Sequence, residues 1–142
     1  GFGAIFAYSY TDSGIEVAGN INNVTKTDIP LPGLSQDVMS ATLYYEKHGF
    51  GARIATRYRS EYIGEVTNFA NDRALRFVDS DTITDAQVSY LFGGGSLEGL
   101  QLLFQVNNLT NEPYVAYVED PARTLDYEEE GTQYLVGMNY RF

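Results

Sequence analysis

The chain has 142 residues and a formal net charge of −10, from 9 basic and 19 acidic side chains. This length allows one domain with its own core. The acidic excess argues against a nucleic-acid partner, because phosphate binding needs patches of Lys and Arg. The chain has no cysteine, which excludes a disulfide scaffold, a thiolate zinc site and a cysteine nucleophile.

Composition and hydropathy favour β-structure. Tyr, Phe and Gly are frequent, and they are typical of strands joined by glycine turns. No apolar run is long enough for a transmembrane helix. The first residues, Gly1-Phe2-Gly3-Ala4, lack Met and the basic and apolar regions of a signal peptide. We therefore expect that the chain starts inside a longer protein.

Six segments alternate between two side-chain faces with a period of two residues, the pattern of a strand. They cover about Phe2–Thr11, Val38–Glu46, Phe50–Arg59, Thr84–Phe92, Leu100–Asn107 and Thr132–Phe142. No window favours a helix over a strand. The sequence predicts an all-β fold, an antiparallel up-and-down meander of about six long strands.

The connections between these segments alternate in length. Lys47-His48-Gly49 and the turn beginning at Gly93 are short. Asp12–Asp37, Ser60–Thr82 and Asn108–Gly131 are predicted to be long loops, which compact soluble domains seldom use. Short turns at one end and long loops at the other are typical of an outer-membrane barrel.

The two faces of the predicted strands differ in chemistry. One is aliphatic in the middle and aromatic at both ends, which matches a bilayer with two interfaces. The aromatic residues near the short turns are Phe2, Tyr45, Phe50, Tyr90, Phe92, Tyr140 and Phe142, and those near the long loops are Tyr8, Tyr10, Tyr58 and Tyr134. The other face is polar and is expected to line a water-filled lumen, with Arg53, Arg57, Arg59, Glu46 and Asp85 as candidates.

A soluble β-sandwich or barrel with its apolar face inward is the alternative fold, and it would bind a small ligand inside. The predicted strands exceed the roughly five or six residues of soluble strands, which favours a bilayer crossing. Six strands cannot close a single-chain barrel, which needs about eight, and open sheet edges are not tolerated in lipid. The sheet is therefore expected to belong to a larger barrel.

A local motif follows the fifth segment. Asn108, Leu109, Thr110, Asn111 and Tyr114 form an Asn-Leu-Thr-Asn-x-x-Tyr box, Pro113 blocks strand continuation, and the last segment ends in Tyr140-Arg141-Phe142. This box, one long loop before a final strand with a terminal Phe, resembles the C-terminal end of TonB-dependent outer-membrane receptors. The resemblance extends more loosely to the second, third and fourth segments.

The resemblance implies that residues 1–142 are the C-terminal part of a roughly 22-stranded transmembrane barrel whose lumen holds an N-terminal plug. Such receptors import scarce nutrients, such as oligosaccharides or iron–siderophore complexes, across the bacterial cell outer membrane. The loop and strand style resembles carbohydrate-associated members slightly more. A passive porin-like channel would share the wall without the plug.

The same resemblance implies several partners. They are outer-membrane lipid and lipopolysaccharide, the plug and the rest of the barrel, the TonB complex through the plug, and the barrel-assembly machinery that reads the terminal strand. Transport would be conformational, so the resemblance implies no enzyme and no cofactor.

Other charged residues have simpler interpretations. The loop after the box holds Glu119, Asp120, Asp126, Glu128, Glu129 and Glu130. These could bind a divalent cation or a ligand, but a solvated loop is the more common explanation. The three arginines could meet an anionic ligand or acidic plug residues, although pairing with carboxylates such as Glu46 and Asp85 is favoured. His48 is a single histidine without a metal-binding or catalytic partner, and we expect it to be a turn residue.

Overall fold

The computed structural model describes residues 1–16, 28–69 and 72–141. Within these ranges the strands in chain order are β1 Phe2–Tyr10, β2 Ile15–Glu16, β3 Asp28–Ile29, β4 Asp37–Lys47, β5 Phe50–Arg59, β6 Tyr62–Phe69, β7 Asp72–Val78, β8 Asp81–Leu91, β9 Leu100–Asn107, β10 Tyr114–Val118, β11 Thr124–Glu128 and β12 Gln133–Tyr140. A short 3₁₀ turn, Gly95–Leu97, precedes β9. No helix of the described residues is long and apolar enough to span a membrane.

The six predicted strands form one antiparallel sheet in the order β1-β4-β5-β8-β9-β12. Each neighbour in this sheet is the next of these six strands along the chain, so the sheet is an up-and-down meander. The predicted fold class is confirmed, and the bounds of β5 agree with the prediction at both ends. We call this sheet the wall.

The register of the wall separates two faces. Along one face the paired residues run Ala4, Leu43, Ile54, Ala86, Val106 and Tyr134 from β1 to β12. On the other face, one position along, they run Ile5, Thr42, Ala55 and Asp85. Because opposed residues point to the same side of a sheet, the predicted apolar and polar faces each continue across the strands.

Most of the apolar face of the wall is left uncovered by the described part of the chain, although Val106 and Thr84 near its long-loop end are buried. Val136 is 83% exposed, and Ile54 and Leu102 are each 43% exposed. A soluble sandwich would bury these side chains in a dry centre. Polar atoms on this face are paired, since the Thr56 and Thr84 hydroxyl oxygens lie 3.1 Å apart within hydrogen-bond distance. This surface has the chemistry of a lipid-facing wall.

Aromatic residues gather at the short-turn end of the apolar face. The Tyr45 ring centroid lies 4.5 Å from that of Phe2 and 6.2 Å from that of Phe50. Tyr90 and Phe92 meet edge to face at 4.9 Å. At the long-loop end, the Tyr8 hydroxyl donates to Asp37 Oδ1 at 2.7 Å. Tyrosine with an apolar ring and a bonded hydroxyl suits a boundary between hydrocarbon and water.

The connection between β4 and β5 is a two-residue hairpin turn. His48 and Gly49 both have positive φ, 49° and 82°, which is the requirement of a type I′ turn. A Cβ on Gly49 would overlap the carbonyl oxygen of Leu91, so this turn needs glycine for space as well as for conformation. His48 occupies the other central position of the turn.

The long connections are not the open loops that the sequence predicted. They carry a second sheet with the order β11-β10-β7-β6 and the small pair β2-β3. Ile29, Ile63 and Leu75 are buried together between them, with Ile15 and Phe77 packed alongside. The segments between the wall strands therefore fold into a cap with a core of its own.

Bulges explain why the period of two residues did not reveal this cap. The β6–β7 register shifts between Ile63 and Glu65, and the β10–β11 register shifts between Ala116 and Tyr117. Each bulge moves the following side chains to the opposite face. The alternation is therefore broken in β6 at Gly64 and in β11 at Leu125, and the unbroken strand β10 has only five residues.

Candidate functional site

The five predicted lumen residues all lie on the polar face of the wall. Arg53, Arg57 and Arg59 alternate along β5, Asp85 is opposite Ala55, and Glu46 is opposite Gly51. The structure brings Arg57, Arg59 and Asp85 to one cavity, which Arg53 and Glu46 do not line. Glu46 lies on β4 next to the short turn, whereas Arg59 is at the opposite, long-loop end of β5.

Arg59 pairs with Asp81, which is not among the residues predicted to line the lumen. Its Nη2 atom lies 2.9 Å from Asp81 Oδ2, across the β5–β8 register. Its Cζ atom lies 4.4 Å from the centroid of the Tyr62 ring, which adds a cation–π contact. The expected pairing with Glu46 or Asp85 does not form, and Arg53 and Arg57 make no ion pair within the described residues.

Asp81 could have been found from the same alternation that located β8. The strand begins at Asp81, three positions before the predicted start at Thr84. Asp81, Ile83 and Asp85 then continue the polar side of the strand, and an Asp opposite an Arg is a favourable cross-strand pair.

Asp85 accepts a backbone hydrogen bond instead of an ion pair. Its Oδ1 atom accepts the N–H of Asn108 at 3.0 Å, and the next N–H, of Leu109, donates to the Thr84 carbonyl at 2.7 Å. These two bonds attach the first residues of the box to β8. Asp85 therefore has a positional role at the end of β9.

Asn108 connects three parts of the chain through its side chain and backbone. Its Oδ1 atom accepts the N–H of Glu112 at 2.8 Å, and its Nδ2 atom donates to the carbonyls of Glu112 at 3.1 Å and Gly131 at 3.4 Å. Its own carbonyl accepts the Thr132 hydroxyl at 2.9 Å. Asn108 is buried, with φ of 51°, a conformation that Asn tolerates better than most residues.

The rest of the box differs in exposure. Leu109, Thr110 and Asn111 are exposed, and Asn111 also has positive φ, 52°. Tyr114 starts β10 and lines the cavity. Tyr140 ends β12, and Phe142 lies outside the described residues. The structure thus assigns the box a turn function in which Asn108 makes most of the bonds.

A cavity of about 450 Å³ lies where the long-loop ends of β5, β8 and β9 meet the second sheet. Its lining combines charged groups with the apolar surfaces of Ile83, Pro113 and Val115. The acidic lining residues are Asp79, Asp81, Asp85, Glu112 and Glu130, and the basic ones are Arg57 and Arg59. The cavity is therefore an acidic pocket with two guanidinium groups on its polar wall.

Most of the acidic residues after the box each make a separate ion pair or hydrogen bond. Asp126 pairs with Arg76, and Glu119 lies 3.7 Å from Arg123. Glu129 accepts the Tyr127 hydroxyl at 3.0 Å. No group of His, Asp or Glu in the described part of the chain could hold a metal ion. These contacts hold Glu119, Asp126 and Glu129 singly, beside or on the cap strands.

Tyr117 anchors the cap beside the cavity. Its side chain is only 4% exposed, its ring stacks on Phe77 at 5.5 Å, and its hydroxyl donates to the Glu61 carboxylate. Burial, and then the hydrogen bond and the charge of Glu61, raise the pKa of Tyr117 well above its ordinary value. Tyr117 was not expected from the sequence because β10 has only five residues and its adjacent residues Ala116 and Tyr117 are both buried, which hides the alternation.

This raised pKa predicts alkaline loosening of the cap. The folded state holds the phenol proton above pH ~10, where the unfolded chain releases it. Stability from Tyr117 is therefore complete below pH ~10 and declines as the pH rises toward the higher folded pKa. The free energy of unfolding, measured by urea titration at a series of pH values, should fall in that range, and Tyr117→Phe should flatten the dependence. An equal fall in both proteins would contradict the assignment.

Comparison with protein families identifies the wall. Residues 1–109 match the family described as TonB dependent receptor-like, beta-barrel. The match covers β1 to β9 and stops at the second residue of the box, so it depends on the wall more than on the terminal motif. No curated protein and no solved structure matches the chain. Because the match spans most of the sequence, the chain belongs to the TonB-dependent receptor β-barrel family.

Proposed function

We propose that residues 1–142 form the C-terminal barrel wall of an active outer-membrane receptor for a scarce nutrient, an oligosaccharide or an iron–siderophore complex. The family is one of outer-membrane receptors and transporters. The observation that carries the proposal is the register of the wall, which gathers apolar side chains on one uncovered face and Arg53, Arg57 and Asp85 on the other. Lipid contacts the first face and the lumen is bounded by the second.

The free edges of the wall indicate how it joins the rest of the barrel. β1 and β12 each pair on one side only within the described residues. An open strand edge is not tolerated in hydrocarbon, because its N–H and carbonyl groups would be unsatisfied. Further strands pair with β1, and β12 closes against the first strand of the barrel.

The remaining partners follow from this placement. A plug in the lumen faces the polar side of the wall and transmits the action of TonB. The barrel-assembly machinery recognises the last strand, and lipopolysaccharide surrounds the capped end of the barrel. Transport results from movement of the plug, so the wall needs no catalytic group.

Growth genetics can separate active uptake from a passive channel. Deleting the receptor gene and deleting tonB should abolish growth on the same limiting nutrient, and the receptor should fractionate with the outer membrane. A porin with this wall would support growth without TonB, and a soluble protein would fractionate without membranes. Either result would refute the proposal.

A further inference from the structure

The cavity on the polar face contains two charged side chains that have no partner among the described residues. Arg59 pairs with Asp81, Asp85 accepts the Asn108 N–H, and Glu112 Oε1 accepts the Thr82 N–H at 3.0 Å. By contrast, Arg57 and Glu130 make no hydrogen bond or ion pair with the described residues. The cavity therefore offers a free donor group and a free acceptor group.

The charge of the lining decides which ligands these groups can accept. The acidic side chains Asp79, Asp81, Asp85, Glu112 and Glu130 outnumber Arg57 and Arg59. Since Arg59 is already neutralised by Asp81, the field in the cavity is negative. Such a field lowers the local concentration of anions, so an anionic iron chelate is disfavoured here.

A neutral polyol fits both the polar and the apolar lining. Each hydroxyl of a sugar can donate to a carboxylate and accept from a guanidinium. The C–H faces of a sugar ring can pack against Tyr114, Pro113 and Ile83, which line the same cavity. The volume of about 450 Å³ lies within the range of small-molecule pockets, about 300–1,000 Å³.

We infer that this cavity is a subsite for a neutral, polyhydroxylated ligand, a short segment of an oligosaccharide, with Arg57 donating to its hydroxyls and Glu130 accepting from them. The inference rests on the proposed function, because it places the cavity at the outer mouth of a receptor lumen. It goes further in assigning the chemical class of the ligand and two residues that bind it.

Binding by the complete receptor in detergent tests the subsite. The probes are an array of neutral glycans and, separately, a ferric tris-catecholate chelate, which is anionic. We expect binding to a neutral glycan and none to the chelate. Arg57→Ala and Glu130→Gln should each weaken glycan binding about tenfold or more, as expected for losing a hydrogen bond to a charged group.

Arg53→Ala is the matched control. Arg53 lies on the same strand and face as Arg57 and also lacks an ion pair in the described residues, but it does not line the cavity. Its loss should leave glycan affinity unchanged. The subsite is refuted if no neutral glycan binds, if the chelate binds instead, or if Arg57→Ala behaves as Arg53→Ala does. Membrane fractionation and TonB dependence are measured separately, so these results would leave the proposed function standing.

Discussion

Arg in place of Val136 should prevent the wall from assembling stably in a membrane. Val136 lies in the middle of β12, on the apolar face, and is 83% exposed in the chain. If that exposure is to hydrocarbon, a guanidinium there destabilises the barrel by about 2–4 kcal/mol at mid-bilayer depth. The folded fraction of the receptor in lipid vesicles, measured by heat-modifiable migration and urea titration, should fall accordingly.

Leu135→Arg provides the control at nearly the same depth. Leu135 is the preceding residue on β12, and it is opposite Gln105 on the polar face. An Arg at this position reaches the lumen and should change the free energy of unfolding by less than about 1 kcal/mol. If Leu135→Arg is the damaging variant and Val136→Arg is tolerated, β12 does not present Val136 to hydrocarbon and the assignment of the two faces is wrong.

The wall could be predicted from the sequence because its strands are long and their alternation is uninterrupted. β5 illustrates this, since its ten residues alternate without a bulge between a two-residue turn and Ser60. The cap could not be predicted, because β2, β3, β10 and β11 have five residues or fewer and a bulge interrupts β6 near its start. Its core of Ile29, Ile63 and Leu75 joins residues far apart in sequence, which local periodicity cannot detect.

On the polar face, the side of the strand on which a residue lies could be predicted from local sequence, but its interaction partner could not. Alternation was sufficient to place Arg53, Arg57 and Arg59 on one side of β5. The partner of each arginine depends on the register between strands, and a start of β8 at Asp81 brings that residue opposite Arg59. The box could be predicted as a turn from its residue types. Its hydrogen bonds to Gly131 and Thr132 could not, because those residues are more than twenty positions away and no local pattern links them to Asn108.

Asn108→Ala should be the most destabilising substitution in the box. It removes the three side-chain bonds to Glu112 and Gly131 and leaves their backbone groups without these partners. It also places a residue with a Cβ and no local side-chain bond at φ of 51°, which costs about 1–2 kcal/mol. Together we expect a loss of about 2–4 kcal/mol in the free energy of unfolding, measured by urea titration in vesicles.

Two further variants separate backbone strain from lost hydrogen bonds. Asn111→Ala is the matched control, because Asn111 has nearly the same φ, 52°, but is exposed and makes no side-chain bond within the described residues. It should cost only the strain, about 1 kcal/mol. Asn108→Gly relieves the strain but not the lost bonds, so it should lie between Asn108→Ala and the unsubstituted protein. Equal losses for Asn108→Ala and Asn111→Ala would show that the Asn108 amide does not stabilise the junction between β9 and β12.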